Sequence, residues 1–220
     1  MPKKWINTKS VFEWNKKESK YNEVYREGRP YEGEWAHCFC FLAGTKILMS
    51  DHSYKNIEDI EIGDEVISWD EANDKIITDK VVRIKTPHHS DLVKISVDGK
   101  DDIVCTHDHP FLVKEKGWSS YNPQKTMDNY GGVYHFPNFQ DTFASVEEIQ
   151  VDDMVFVHKD GDGSGEREGG LVETKVTNIE EYKVDHPANR AKMYIFETEL
   201  YHTFFAEDVL THNKGIESVG

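Results

Sequence analysis

Short apolar runs rich in β-branched and aromatic residues recur along most of this chain between polar, turn-forming stretches, and that pattern predicts strands. The runs are Ile47 to Met49, Glu65 to Trp69, Lys80 to Lys85, Leu92 to Val97, Ile103 to Thr106, Phe111 to Lys114, Asp153 to His158, Leu171 to Glu180, Met193 to Glu199 and Thr203 to Ala206. Turn-forming pairs separate several of them, among them Gly63-Asp64, Asp98-Gly99 and Lys116-Gly117. Between residues 40 and 213 no long helical period is present; a turn or two of helix is expected around Ile57 to Ile60 and Val146 to Ile149. Ahead of that segment, Val11 to Arg26 suggests a short helix, followed by a Gly28-Arg29-Pro30 linker. The expected class is all-β.

One pattern occurs twice. Asn56-Ile57-Glu58-Asp59-Ile60-Glu61-Ile62-Gly63-Asp64-Glu65-Val66-Ile67 returns 89 residues later as Ser145-Val146-Glu147-Glu148-Ile149-Gln150-Val151-Asp152-Asp153-Met154-Val155-Phe156. Apolar positions, acids and turn all correspond, so two similar units related by a pseudo-twofold are expected. The acids of these turns read as surface bends rather than as a catalytic pair.

Chemistry concentrates in four places. Cys40-Phe41-Leu42-Ala43-Gly44-Thr45 opens a segment of 174 residues that closes on Thr211-His212-Asn213. A cysteine can exchange its preceding amide for a thioester only if that amide is strained or polarised, because the thiol, of pKa about 8.5, is mostly protonated at pH 7. Thr106-His107-Asp108-His109 offers the helpers: a hydroxyl for the carbonyl of Phe39 and an imidazole to protonate the departing nitrogen of Cys40. An asparagine can close its side-chain nitrogen onto its own carbonyl and release the residue after it, an intramolecular step in which the leaving amide needs a proton. His212 adjoins Asn213 as donor, and the fourth place, Tyr201-His202-Thr203-Phe204, holds another imidazole.

Taken in order, these motifs resemble the Hint superfamily: inteins, hedgehog autoprocessing segments and bacterial intein-like domains. The resemblance implies a horseshoe-shaped all-β fold with an internal pseudo-twofold. It divides the chain into a flank of residues 1–39, an autoprocessing domain of 40–213 and a tail of 214–220. It implies catalytic roles for Cys40, Thr106, His109, His202, His212 and Asn213, and cleavage beside Phe39 and Lys214. The activity would be single-turnover and in cis: acyl shift at Cys40, cleavage after Phe39, and cyclisation of Asn213. Two stretches, Tyr121 to Asp141 and the glycine-rich His158 to Gly170, read as insertions. Both are too short for the homing endonuclease that many inteins carry, so a mini-intein or intein-like domain is the closer comparison.

Two departures shape the expected reaction. Lys214 occupies the place where splicing requires Cys, Ser or Thr, which favours cleavage over ligation. Ile195, seven residues before His202, stands where inteins often have Asp or Cys, which weakens coordination of the two ends. Three alternatives stand beside cleavage: a mini-intein that ligates its flanks, a Hint-shaped structural or binding module without chemistry, and a cysteine hydrolase acting in trans through Cys40 and His109. The last would place its thiol at a helix start, whereas Leu42-Ala43-Gly44-Thr45-Lys46 reads as turn, then strand.

Charge narrows the partners. The formal net charge is −15, and all of the acidic excess lies in 40–213, which carries 17 basic and 34 acidic residues. Such a surface repels phosphate backbones, so no nucleic-acid partner is expected. No apolar run reaches membrane-spanning length and the amino terminus lacks a signal-peptide core, so no membrane partner and a cytoplasmic, monomeric protein are expected, with secretion inside a larger host left open. The partners would be its own flanking polypeptides, with water or a small thiol as acyl acceptor. Cys38, Cys40 and Cys105 do not form a disulfide framework, although Cys105 or Cys38 could pair with Cys40 as a redox partner. His88-His89 and His107-x-His109 are the nearest approach to zinc motifs. No cofactor is expected, and zinc held by Cys40, His109 and His212 would act only as an inhibitor.

Overall fold

The computed structural model describes residues 39–131, 145–159, 170–184 and 190–213, and the backbone of three strands ahead of them; side chains are described within 39–128 and the later segments. Cys38, Lys214 and the rest of both flanks, with the centres of the two expected insertions, lie outside the described residues.

The first three strands are β1 (Lys4–Asn7), β2 (Ser10–Asn15) and β3 (Lys20–Arg26), an antiparallel sheet in the order β1-β2-β3. The helix expected over Val11 to Arg26 is therefore a hairpin. Its residues, Val11-Phe12, Trp14, Tyr21 and Val24-Tyr25, are β-branched or aromatic types that favour pleated backbone, and this preference outweighs the loose helical spacing.

The other strands form one sheet. In chain order they are β4 (Phe41–Leu42), β5 (Lys46–Leu48), β6 (Tyr54–Asn56), β7 (Glu65–Asp70), β8 (Lys75–Lys85), β9 (His88–His89), β10 (Leu92–Val97), β11 (Ile103–Thr106), β12 (Phe111–Val113), β13 (Gly117–Ser120), β14 (Glu147–Glu148), β15 (Met154–Lys159), β16 (Gly170–Tyr182), β17 (Ala191–Thr198), β18 (Thr203–Ala206) and β19 (Val209–His212). All the expected runs are strands, so the fold is all-β. Its sheet is open, as in the Hint horseshoe. Ile57–Asp59 forms the short helical turn anticipated there, but Val146 to Ile149 contains the small strand β14 instead.

The duplicated sequence folds into duplicated hydrogen bonding. In the first unit Gly63 donates to Val81, Asp64 to Glu61, and Val81 to Asp64, at 2.8, 3.1 and 2.8 Å. In the second, Asp152 donates to Val176, Asp153 to Gln150, and Val176 to Asp153, at 2.9, 3.2 and 2.9 Å. Each aspartate also accepts one backbone N–H and one lysine: Asp64 from Glu61 and Lys55, Asp153 from Gln150 and Lys116. Gly63 (φ 99°) and Asp152 (φ 76°) both take the left-handed conformation the turn demands, one with glycine's freedom and one without. Each turn leads into a hairpin, β7–β8 or β15–β16.

One helix was not expected. α1 (Pro123–Gly131) opens the first expected insertion, and the Asn122 side chain accepts the N–H of Lys125 at 3.0 Å. An Asn-Pro pair is a helix start, with the asparagine capping and proline at the first helical position, where its missing N–H costs nothing. Among the described residues the buried apolar side chains form three clusters, and the smallest, Cys40, Leu92, Met193 and Ile195, includes the candidate nucleophile.

Candidate functional site

Cys40 sits at the entry to β4, a two-residue strand held on both sides by β11 and β17. Phe39 and Cys40 are fully buried. The register Cys105↔Phe41 places Thr106 opposite Cys40, and the two exchange hydrogen bonds. Thr106 N–H donates to the Cys40 carbonyl at 3.0 Å, and Cys40 N–H donates to Thr106 Oγ1 at 3.3 Å. The sequence led us to expect this hydroxyl on the Phe39 carbonyl; it meets the nitrogen of the same Phe39–Cys40 peptide. Register accounts for the difference, because the Cys40 N–H faces β11.

The same register separates the two described thiols. Side chains directly opposite on neighbouring strands share a face and successive ones alternate. Cys105 therefore lies with Phe41, and Cys40 with Thr106, on opposite faces. Neither of these cysteines is in a disulfide, and burial, reinforced by Asp108, pushes the Cys105 thiol well above its ordinary value. A Cys40–Cys105 disulfide does not suit this arrangement.

The Thr-x-x-His spacing is a turn. His109 N–H donates to the Thr106 carbonyl at 3.0 Å, which folds the imidazole back toward β4. Its ring lies 5.8, 4.1 and 5.4 Å from those of Phe39, Phe41 and Phe111. Nε2 contacts the Thr211 hydroxyl. That hydroxyl gives its one proton to the Pro110 carbonyl at 2.9 Å, so it must accept from His109. The neutral ring is thus the Nε2–H tautomer, and Nδ1, with no hydrogen-bond partner among the described residues, carries the lone pair. Burial first, and then His212, holds this imidazole well below its usual range. His109 consequently joins the two ends: Phe39 and Phe41 on one side, Thr211 on the other.

At the carboxyl end, β19 carries Thr211 and His212 into the core against β18, with Thr203 opposite His212. The His212 ring is edge-on to Trp118 at 5.1 Å and lies 6.5 Å from the ring of His202. Burial, with His202 second, pushes it down to about 3. Asn213 is buried; its N–H donates to the His202 carbonyl at 2.6 Å, and its carboxamide nitrogen donates to the Phe196 carbonyl. His202 itself takes a left-handed conformation, φ 56°, and burial lowers its ring. Asp79 fixes the preceding turn by accepting the N–H groups of Leu200 and Tyr201 at 3.1 and 2.8 Å. Asp79 looks like an ordinary outward position in a strand, and nothing in the sequence marks it. Thr211 was detectable, as a hydroxyl adjoining the His-Asn pair.

Three further polar side chains surround the thiol. His89 Nε2 is 4.0 Å from Cys40 Sγ, and His89 Nδ1 is 3.6 Å from Asp91 Oδ1. Lys125, on α1, contacts Asp91 and lies 3.7 Å from Asp108 Oδ1. Burial lowers its ammonium to about 8, with Cys40 opposing that shift. Ile195 is buried against Cys40, Leu92 and Met193, so the position where the resemblance anticipates an acid is apolar here. Among the described residues no group of three or more His, Cys, Asp or Glu side chains is placed to hold a metal ion, and Cys40, His109 and His212 do not form one. Nor does Cys40 begin a helix, the setting that a trans-acting cysteine hydrolase favours.

The family model of the ataxin-1 and HBP1 module (AXH) matches residues 41–157. The chain is 32% identical over 108 residues to HMG box-containing protein 1 of Rattus norvegicus, a match covering 42% of this chain and 21% of that protein. The chain thus spans about a fifth of the length of this curated relative. Among solved structures it is similar to the bacterial intein-like domain of Clostridium thermocellum, with TM-score 0.56, 23% identity, and 79% and 98% of the two chains covered. It is likewise similar to the DnaB intein of Synechocystis sp. PCC 6803, with TM-score 0.56, 14% identity, and 80% and 99% covered. The chain belongs to the AXH family, the ataxin-1 and HBP1 module, and carries that module on the Hint fold of the inteins.

Proposed function

We propose that this chain is a self-cleaving intein-like domain. The observation that carries the reading is the burial of Cys40 and Asn213, 173 residues apart in sequence, with one imidazole, His109, packed against Phe39 and Phe41 beside the first and bonded to Thr211 two residues before the second. Cys40 Sγ attacks the carbonyl carbon of Phe39, and Thr106 holds the peptide through the Cys40 N–H. His109 protonates the departing nitrogen, with a proton that it first takes up on Nδ1. Water or a small thiol then releases residues 1–39. Asn213 closes onto its own carbonyl with His212 and His202 beside it, releasing Lys214 onward. Lys214 offers no hydroxyl or thiol to capture an acyl group, so the flanks part without being joined.

The test is intact mass over time for residues 1–220 fused to a carboxy-terminal reporter domain, with and without dithiothreitol. Reporter loss blocked only by Asn213→Ala, and thiol-stimulated release of 1–39 blocked only by Cys40→Ala, are the expected results. A ligated flank product would overturn the exclusion of splicing, and constant mass under every condition would remove the autoprocessing reading.

Ile195 and Lys214, at the places where inteins carry an acid or cysteine and a hydroxyl or thiol, favour a second reading, a Hint-shaped structural or binding module without chemistry. Constant mass is the result it requires.

A further inference from the structure

The His88-His89 pair has the look of a weak zinc motif, yet no metal group forms there among the described residues, and His89 lies where the thiol is. Its strand β9 pairs with β17, His89 opposite Ala191 and His88 opposite Lys192, and this turns one ring inward while leaving the other exposed. The His89 ring has a nitrogen within the range of a sulfur hydrogen bond to Cys40 Sγ, at 4.0 Å. Its other nitrogen points to Asp91, at 3.6 Å. If Nδ1 bears the hydrogen toward that carboxylate, Nε2 turns its lone pair on the thiol. Asp91 is in turn held by Lys125, and its backbone carbonyl by His107 N–H at 3.1 Å. This is the nucleophile, base and orienting-acid logic of cysteine enzymes, built from a strand, the loop after it and the first turn of α1.

We propose that His89, oriented by Asp91, is the catalytic base that removes the thiol proton of Cys40. The inference rests on the self-cleavage reading and deepens it by separating two roles: His89 takes a proton at sulfur, and His109 delivers one at nitrogen. The Sγ–H proton passes to His89 Nε2 as the bond from Sγ to the Phe39 carbonyl carbon forms. The bond from that carbon to the Cys40 nitrogen breaks, and the nitrogen takes the proton carried by His109. The products are a thioester, a free amine, His89 imidazolium beside Asp91, and neutral His109; proton exchange with solvent resets both rings. The charged and titratable groups facing His89 include Cys40 and Asp91, with Lys125 and Asp108 beyond Asp91. A thiol of ordinary pKa near 8.5 is only about 3% ionised at pH 7, so a base with a fixed partner has a large fraction to gain.

The full chain decides this with two readouts. The first is thiolate absorbance at 240 nm against pH, taken as the difference from Cys40→Ala, which reports the thiol whether or not the chain cleaves. The second is dithiothreitol-driven release of 1–39. We expect His89→Gln to move the Cys40 titration at least one unit toward alkaline pH and to slow release at pH 7 at least tenfold. Asp91→Asn should give a smaller shift in the same direction, and the slowed release should recover as pH rises past the new titration point. An unchanged titration in folded His89→Gln, judged by circular dichroism, overturns the proposal even if release persists. A shifted titration with no release in any variant sustains the acid–base pair and removes the self-cleavage reading instead.

Discussion

Acid should unfold this protein through His212, and the size of the effect comes from its burial. The ring is packed against Trp118 and beside His202, and its titration falls from an ordinary 6.5 to about 3. A base that titrates lower in the folded than in the unfolded chain leaves stability untouched above the unfolded value. Below it the unfolded chain binds more protons, and stability declines as pH falls through the window from 6.5 down to about 3. At pH 5 the deficit is about one and a half units, or ~2 kcal/mol from this one side chain. That is a large share of a marginal total. Urea unfolding at pH 7.5 and pH 5.0 measures it, in a Cys40→Ala/Asn213→Ala background in which neither proposed cleavage can proceed. His212→Gln keeps a neutral polar side chain and removes the titration. The original ring should lose ~2 kcal/mol more between the two pH values than the glutamine variant does. Equal losses in the two proteins would refute the argument, whatever their absolute stabilities.

Other outcomes depend on single contacts. Thr106→Val removes the acceptor of a buried N–H, so we expect a loss of ~1–3 kcal/mol in urea titrations and thiol-driven release slowed ~10²-fold, with Thr106→Ser restoring most of both. Asp64→Ala and Asp153→Ala each delete one lysine and one N–H bond from equivalent turns; denaturation should show ~1–3 kcal/mol lost by each, and a difference above ~2 kcal/mol between them would break the equivalence. Ile195→Asp would set a carboxylate among Cys40, Leu92 and Met193, so a loss of ~2–5 kcal/mol in thermal or urea unfolding is expected rather than any gain in coupling between the ends.

The strands were legible as short β-branched or aromatic runs between turn residues: β10 buries every other residue over much of its length, whereas β12 and β18 are buried throughout and were marked by residue type and length alone. The repeat was legible for the same reason, since its apolar positions and its Gly-Asp or Asp-Asp turn serve one hydrogen-bonding scheme twice. The hairpin ahead of residue 39 was misread because its aromatic residues fit a loose helical spacing as well as a strand, and type decided against spacing. α1 was missed because its residues are mostly polar, and its start, Asn122-Pro123, was the available signal. Among site residues, Cys40, Thr106, His109, His202, His212 and Asn213 were named from motif order. Asp79, Asp91 and Lys125 were not, and His89 was marked only as half of a zinc-like pair, because they reach the site through strand pairing and a helix turn. Sequence distance does not report such neighbours.

The strand β16 ties the two ends of the segment together: residues 170–175 pair with β15, which also pairs with β19, and residues 176–182 pair with β10, which leads through β11 to β4. Neither β10 nor β15 can release its share of this strand without exposing the other's backbone groups, so the two should exchange their amide hydrogens and melt as one cooperative body. The amino and carboxyl ends of the reaction segment would then sense each other through folding stability itself. With an apolar residue at 195, that shared strand is a mechanical route by which an event at one end could reach the other.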